Sequence, residues 1–406
     1  MKLLAVLVAV PLAVSGCELF VDVPNASLAN ADDAGTGACT ASSTCSSPTP
    51  VCDTSNGTCV ECVTSPDCTV PERAICDADV CRGCRADAEC PSSNVCLGDG
   101  TCADPARVLY ASPTGVISTC TAAMPCTFDA AYAMVSATQD IIKLAAGTYD
   151  RPASLTVTKS VIVTGEGATF QDTSAQAVMI MFDVMGAAMT VQNVDFELSN
   201  TAAGTTAYAA ECTTSGELHF EHVRLANGAA GAYVSSCAFT LDRSTVDHNS
   251  IYGFYLVGAQ ITITSSFITN NGSTQGGVVL ATGTTGTIEH VTMSGNTSTT
   301  SAHAITCTAP GIVIRSSILY GNGAPSIDPA CVVGHSVVDA DYTGGANNVS
   351  LDPLFVAPAT YDYHIQPGSP AIGLADPAST ETVDVDGDPR PQPTGSTADS
   401  GADEIP

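Results

Sequence analysis

An all-β fold built as a solenoid of stacked coils is predicted by three observations. The first is a phrase written six times between residues 189 and 322: an apolar residue, two variable positions, Val or Ser, one variable position, and a second apolar residue. The first apolar residue falls at Val191, Phe220, Leu241, Ile263, Ile288 and Ile314, and the second at Phe196, Leu225, Val246, Ile268, Met293 and Leu319, with copies 29, 21, 22, 25 and 26 residues apart. The second observation is a further apolar column two residues earlier, at Met189, Leu218, Phe239, Ile261 and Ile312, broken only by Gly286. A spacing of two is the strand period. The third is the repeat length: a unit this short with one buried face cannot hide it alone, so copies must stack.

Four phrases carry Asn three residues past the second apolar position, at Asn249, Asn271, Asn296 and Asn322. Asn tolerates the left-handed backbone of a sharp corner, and identical side chains on successive coils can hydrogen-bond in a ladder. Together these features resemble a right-handed parallel β-helix of the pectin-lyase type, over residues 155–345. The handedness comes from the resemblance and not from the spacing.

Composition sets the surroundings. The 406 residues carry 41 acidic and 12 basic side chains, a formal charge of -29 that opposes nucleic acid as a partner. Nineteen cysteines point to an oxidising compartment. Lys2 and the apolar run Leu3 to Val14, too short to span a membrane, form an export signal over residues 1–16. It ends Leu12-Ala13-Val14-Ser15-Gly16-Cys17, which resembles a bacterial lipobox. That resemblance implies cleavage before Cys17, acylation of Cys17, and attachment to the outer membrane or cell surface of a Gram-negative bacterium. Residues 17–38 have little to pack and read as a tether.

Residues 39–102 form a small disulfide-rich domain of three four-cysteine modules: Cys39, Cys45, Cys52 and Cys59; Cys62, Cys68, Cys76 and Cys81; Cys84, Cys90, Cys96 and Cys102. Modules so small have almost no apolar core, and two disulfides in each would replace it. Three connectivities per module remain open. Cys59-x-x-Cys62 and Cys81-x-x-Cys84 have a spacing that also suits zinc, but they straddle module junctions and the chain is exported. The modules resemble cysteine-rich repeats of bacterial surface lipoproteins, which implies a stalk or interaction module.

Residues 103–154 read as a cap and opening strand: a strand at 108–110, a loop closed by Cys120 and Cys126, a short helix with Phe128, Tyr132 and Val135 on one face, and a first coil at 140–144. Cys212 and Cys237, and Cys307 and Cys331, are each about one coil apart. Stacked strands lie ~4.8 Å apart, within reach of a disulfide, so both pairs can bridge neighbouring coils. Residues 346–406 contain Asn348-Val349-Ser350-Leu351-Asp352-Pro353-Leu354-Phe355, then Tyr363-His364-Ile365-Gln366-Pro367-Gly368-Ser369-Pro370-Ala371-Ile372, Asp384-Val385-Asp386-Gly387-Asp388-Pro389-Arg390 and Gly401-Ala402-Asp403-Glu404. These look like the C-terminal choice-of-anchor segment of bacterial β-helix repeat proteins, which implies a segment closing the far end of the helix without a catalytic role.

Chemistry could sit in two columns just after the first apolar position: Glu221, Asp242, Thr264, Glu289 and Arg315, then His222, Arg243, Ser265, His290 and Ser316. Glu221 and Asp242 on adjacent coils could place carboxyls ~5 Å apart, as a retaining glycosidase needs. Paired acids could instead hold Ca²⁺, with Arg243 as the base of a polysaccharide lyase. The plainer expectation is charged corner residues on an outer face. The resemblance favours the plainer one. Pectate lyases of this fold carry Trp-x-Asp-His, and this chain has no Trp. Polygalacturonases carry paired aspartates and Gly-His-Gly, whereas here Asp32-Asp33 lies in the tether and the nearest match is Gly334-His335-Ser336. Sugar stacking would fall to Tyr252, Phe254, Tyr255 and Tyr320. Asp384, Asp386 and Asp388 imitate the start of a calcium loop, but the twelfth position is Gly395 rather than Glu. The expectation is a lipid-anchored binding or structural module with a glycan or surface-protein partner and no cofactor beyond a possible Ca²⁺; a polysaccharide lyase or glycosidase is the alternative.

Overall fold

A computed structural model of the chain describes residues 38–406 except 117–118, 173–177, 199–205, 273–276, 299–302 and 309–310. The export signal, Cys17 and nearly all of the tether lie outside the described residues. The chain divides into two compact units. The smaller holds the first two cysteine modules: Val51–Asp53 pairs antiparallel with Thr58–Val60, and the disulfides are Cys39–Cys52, Cys45–Cys59, Cys62–Cys76 and Cys68–Cys81. The third module, with Cys84–Cys96 and Cys90–Cys102, belongs to the larger unit. All three modules join first cysteine to third and second to fourth, which settles the connectivity that spacing left open. The three-module stalk expected at 39–102 is therefore divided. Val95 of its last module and Ala103 just after it are buried against Val108 and Ile141 of the first two coils.

The larger unit is a parallel β-helix. Its main ladder runs through Val108–Ala111, Ile141–Leu144, Val161–Asp172, Ala188–Leu198, Glu217–Glu221, Ala238–Asp242, Gln260–Thr269, Thr285–Ser294, Gly311–Arg315 and Val332–Gly334. A second ladder of seven strands runs from Leu155–Val157 to Ile305–Cys307. Val191, Phe220, Leu241, Ile263, Ile288 and Ile314 stand in one vertical file, register partner on register partner, and each is fully buried. Phe196, Leu225, Val246, Ile268, Met293 and Leu319 form a second file.

The five-residue gap between the two files has a cause that the strand period alone does not supply, since five steps along one strand would put the second residue on the opposite face. A corner intervenes. Asn193, His222, Arg243, Ser265, His290, Ser316 and His335 all have φ between +42° and +57°. This left-handed residue turns the chain, so both apolar residues face the same interior. The Val or Ser that follows is buried. Ser244 and Ser266 each accept the next lower coil's backbone N–H, from Val223 at 3.1 Å and Ser244 at 3.0 Å, so a hydroxyl can replace an apolar group without being left unpaired.

The Asn ladder is present. Asn249, Asn271 and Asn296 each donate an amide hydrogen to the Oδ1 of the Asn one coil on, at 3.0, 3.2 and 3.1 Å. The left-handed conformation expected of these residues belongs instead to the residue before each: His248, Asn270, Gly295 and Gly321. That frees the ladder side chains to point inward. Gly286, the break in the third apolar column, has φ +131° and passes too close to Ile261's carbonyl for a Cβ.

The helix Phe128–Met134, its N-terminus capped by Thr127, covers the open first end. Phe128 packs edge-on against Phe170 and Phe182, with centroids 5.0 and 5.8 Å away. Disulfides Cys120–Cys126, Cys212–Cys237 and Cys307–Cys331 are formed, the last two spanning 25 and 24 residues between adjacent coils.

The terminal segment departs from the end plug expected of it. Ala346 and Val349 add bridges beyond Gly334 and Val337, after which the chain turns back along the flank of coils already built. The outer column there explains why: Asp195, Arg224 and Thr245 give way on higher coils to Phe267, Thr292, Ile318 and Val337. Ile365 and Ala371 cover Ile318 and Val337, and Tyr363 and Ala402 cover Phe267. An uncovered apolar stripe of this kind would invite association.

Candidate functional site

The outer position at the end of each main-ladder strand forms a continuous column: Tyr110, Lys143, Thr164, Gln192, Glu221, Asp242, Thr264, Glu289, Arg315 and Gly334. Three of the expected site residues, Glu221, Asp242 and Glu289, stand in it, and the fourth, Arg243, lies beside the first two. Arg243 sits at the left-handed corner, so its guanidinium folds back over the column, with Nε 2.8 Å from Asp242 Oδ2 and Nη2 against Glu221 Oε1. Glu221 Oε2 accepts from Gln192 Nε2 at 2.6 Å, and Asp242 Oδ1 accepts from Thr264 at 2.7 Å. Farther along, Glu289 pairs with Arg315 at 3.0 Å. Glu221 and Glu289 are buried, at 6 % and 5 % exposure.

Two other pieces of chain, one before it in sequence and one after, flank this column. Gly98 of the third module comes so close to Gln192 and Glu221 that a Cβ there would collide with both. The terminal segment lies over the other end, with Ser265 Oγ on Val383 O, the Asp376 N–H on Ser316 Oγ, and Ser400 Oγ on His335 O. Between them is a cavity of about 420 Å³ whose lining includes Asp87, Glu166, Gln192, Glu221, His222, Arg243 and Asp386. Burial lowers the His222 imidazole's pKa, and Arg243 adds to the effect. Among the described residues, the buried Gln192 Oε1 has no hydrogen-bond partner.

Around the corner, Asp195, Arg224, Asp247, His364 and Asp386 line a second hollow of about 430 Å³. Of the aspartates considered for calcium, Asp384 is fully buried. Its oxygens accept backbone N–H groups of Asp386, Asp388 and Glu404 at 2.9, 2.8 and 3.0 Å. Asp386 instead faces His364 Nε2 at 2.9 Å, and Asp388 is exposed. The three do not converge, because Asp384 serves the turn that the calcium reading took for a loop. Among the described residues, the C-x-x-C cysteines proposed for zinc are all in disulfides. Of the aromatic candidates, Phe254 is in the core, Tyr252 is buried, Tyr255 stacks on Tyr233 at 5.4 Å, and Tyr320 packs beneath the terminal segment.

His364 was not legible as important from the repeat, since it lies outside it. Pairing with Asp386, and then with Asp362, raises its pKa to about 9. A pKa raised on folding contributes stability that is full below the unfolded value of ~6.5 and is lost as pH rises through the folded value. Protease cleavage within residues 355–390 is therefore expected to accelerate between about pH 6.5 and 9, and His364→Asn should flatten that rise. An unchanged pH profile in the variant would show that the pair does not hold the segment.

The sequence model of the family described as "Right handed beta helix region" matches residues 208–349. A crystal structure of pectate lyase Pel9A is similar at 16% identity and a TM-score of 0.43, covering 74% of this chain and 96% of that one. No curated protein sequence matches. With the ladders and the family match in hand, the fold is a right-handed parallel β-helix preceded by a small disulfide-rich domain.

Proposed function

We propose that this chain is a lipid-anchored, non-catalytic binding or structural module of a Gram-negative cell envelope, with a glycan or another surface protein as its partner. One observation carries the proposal: each acidic candidate is ion-paired with an arginine. Arg243 holds Glu221 and Asp242 together, and Arg315 holds Glu289. A glycosidase nucleophile or a lyase base needs a lone pair turned toward substrate, whereas these groups clamp neighbouring coils. Anchoring would fall to Cys17. Among the described residues no helix is long and apolar enough to cross a membrane.

The cavity over Gln192 and Glu221 favours a second reading as a polysaccharide lyase or glycoside hydrolase. One experiment separates the two: release of reducing ends and of unsaturated sugars from acidic and neutral glycans, with and without Ca²⁺. No release above background is expected. Turnover that disappears in Glu221→Gln or Asp242→Asn would instead establish the enzyme. For the anchor, a Cys17→Ala chain is expected to leave the membrane fraction, and its retention there would count against lipidation.

A further inference from the structure

The third cysteine module and the first coils meet at a buried pair that the column's ion-pair clamps do not include. Lys143 stands between Tyr110 and Thr164, and its ammonium meets the carboxylate of Asp87, 56 residues earlier. Lys143 is 7 % exposed and Asp87 4 %. Val95, Ala103, Val108 and Ile141 form the apolar cluster on this side of the module. Asp87 Oδ1 accepts the Cys96 N–H at 2.9 Å, which leaves Oδ2 to the lysine. Two charges thus meet largely shielded from water, an arrangement whose desolvation cost the Coulomb term does not always offset.

A second carboxylate has been brought to the same place. At the left-handed corner, Gln192 and Val194 are separated by one residue, but their partners Thr164 and Ala168 are separated by three. The two extra residues push Glu166 out of the coil toward the module. Its Oε1 accepts the Asp87 N–H at 3.3 Å, and it lines the same cavity as Asp87 and Lys143. An amine and the carboxyl it touches thus share a cavity wall with Glu166, an exposed carboxylate able to carry a proton.

We propose that Lys143 and Asp87 are joined by an amide bond that the chain forms itself, with Glu166 as the proton carrier. One proton first moves from the ammonium to Asp87 Oδ2, which leaves a neutral amine beside a neutral acid and removes both charges from the low-dielectric site. The Nζ lone pair attacks Cγ. Glu166 takes a second proton from Nζ and delivers it to the departing hydroxyl. The Nζ–Cγ bond forms, the Cγ–Oδ2 bond breaks, and ammonium plus carboxylate become amide plus one water, with no oxidant or co-reactant. Fixing the partners in contact replaces a bimolecular encounter by an intramolecular one.

Protease digestion of the full chain followed by mass spectrometry tests this directly. The peptides carrying Asp87 and Lys143 are expected as one branched species, lighter than their sum by one water after disulfide reduction. Lys143→Arg, which keeps the ion pair but offers no amine, should yield two separate peptides, as should Glu166→Gln. Separate wild-type peptides, with Lys143 acetylated by an amine reagent once the chain is denatured, would overturn the proposal.

Discussion

Replacing Arg390 by Met is expected to destabilise the terminal segment by about 3–5 kcal/mol, because removing one partner of a buried ion pair strands the other's charge. Arg390 and Glu404 have fully buried side chains 3.0 Å apart. The guanidinium also donates to the carbonyls of Asp399 and Gly401, each at 2.9 Å. Glu404 in turn accepts the N–H groups of Gln392 and Asp399, at 2.8 and 2.9 Å. Burial pushes both groups toward neutrality, lowering the arginine's pKa and raising the glutamate's, while each one's charge opposes the shift in the other. Denaturant unfolding together with protease mapping should show early loss of residues 355–405 in the variant. The double change Arg390→Met, Glu404→Gln is expected to recover part of the loss. A single variant as stable as wild type would mean that apolar contacts alone seat the segment.

Phe196→Ala is expected to cost about 3–5 kcal/mol and to act on the β-helix itself rather than on the segment covering it. Phe196 is fully buried, and its ring lies 5.6, 5.9 and 5.8 Å from those of Phe170, Phe182 and Phe220. Parallel ladders fix these spacings, so neighbouring coils cannot collapse into the space a deleted ring leaves. The midpoint of chemical unfolding should fall with little change in slope. A loss under about 1 kcal/mol would mean that the interior relaxes far more freely than stacked coils allow.

The apolar files at 191–314 and 196–319 could be read directly, because a coil's interior admits only residues that stack on their own kind. The candidate column was legible too: Glu221 and Asp242 are register partners as the spacing implied. What the spacing could not give was the direction of each charge, since Arg243 reaches back across the corner only because its own φ is positive. The terminal segment was expected at the far end of the coils, whereas it lies along their flank. Its docking stripe was nevertheless written in the repeat, in the apolar residue just before the second file at Phe267, Ile318 and Val337. The role of Asp384 was hidden because Asp-rich turns and cation loops begin with the same residues. Oδ1 of Asp384 accepts the N–H groups two and four residues on, so backbone hydrogens occupy the place of an ion.

The two disulfides between neighbouring coils, Cys212–Cys237 and Cys307–Cys331, bear on what happens when such a protein is pulled. A stack whose levels touch only the next level yields by peeling, each freed turn adding its contour length to the extended thread. A covalent link across a turn withholds that length. Stretched from its ends, the molecule would lengthen in fewer and shorter steps than its number of turns implies, and reductant would restore the missing ones.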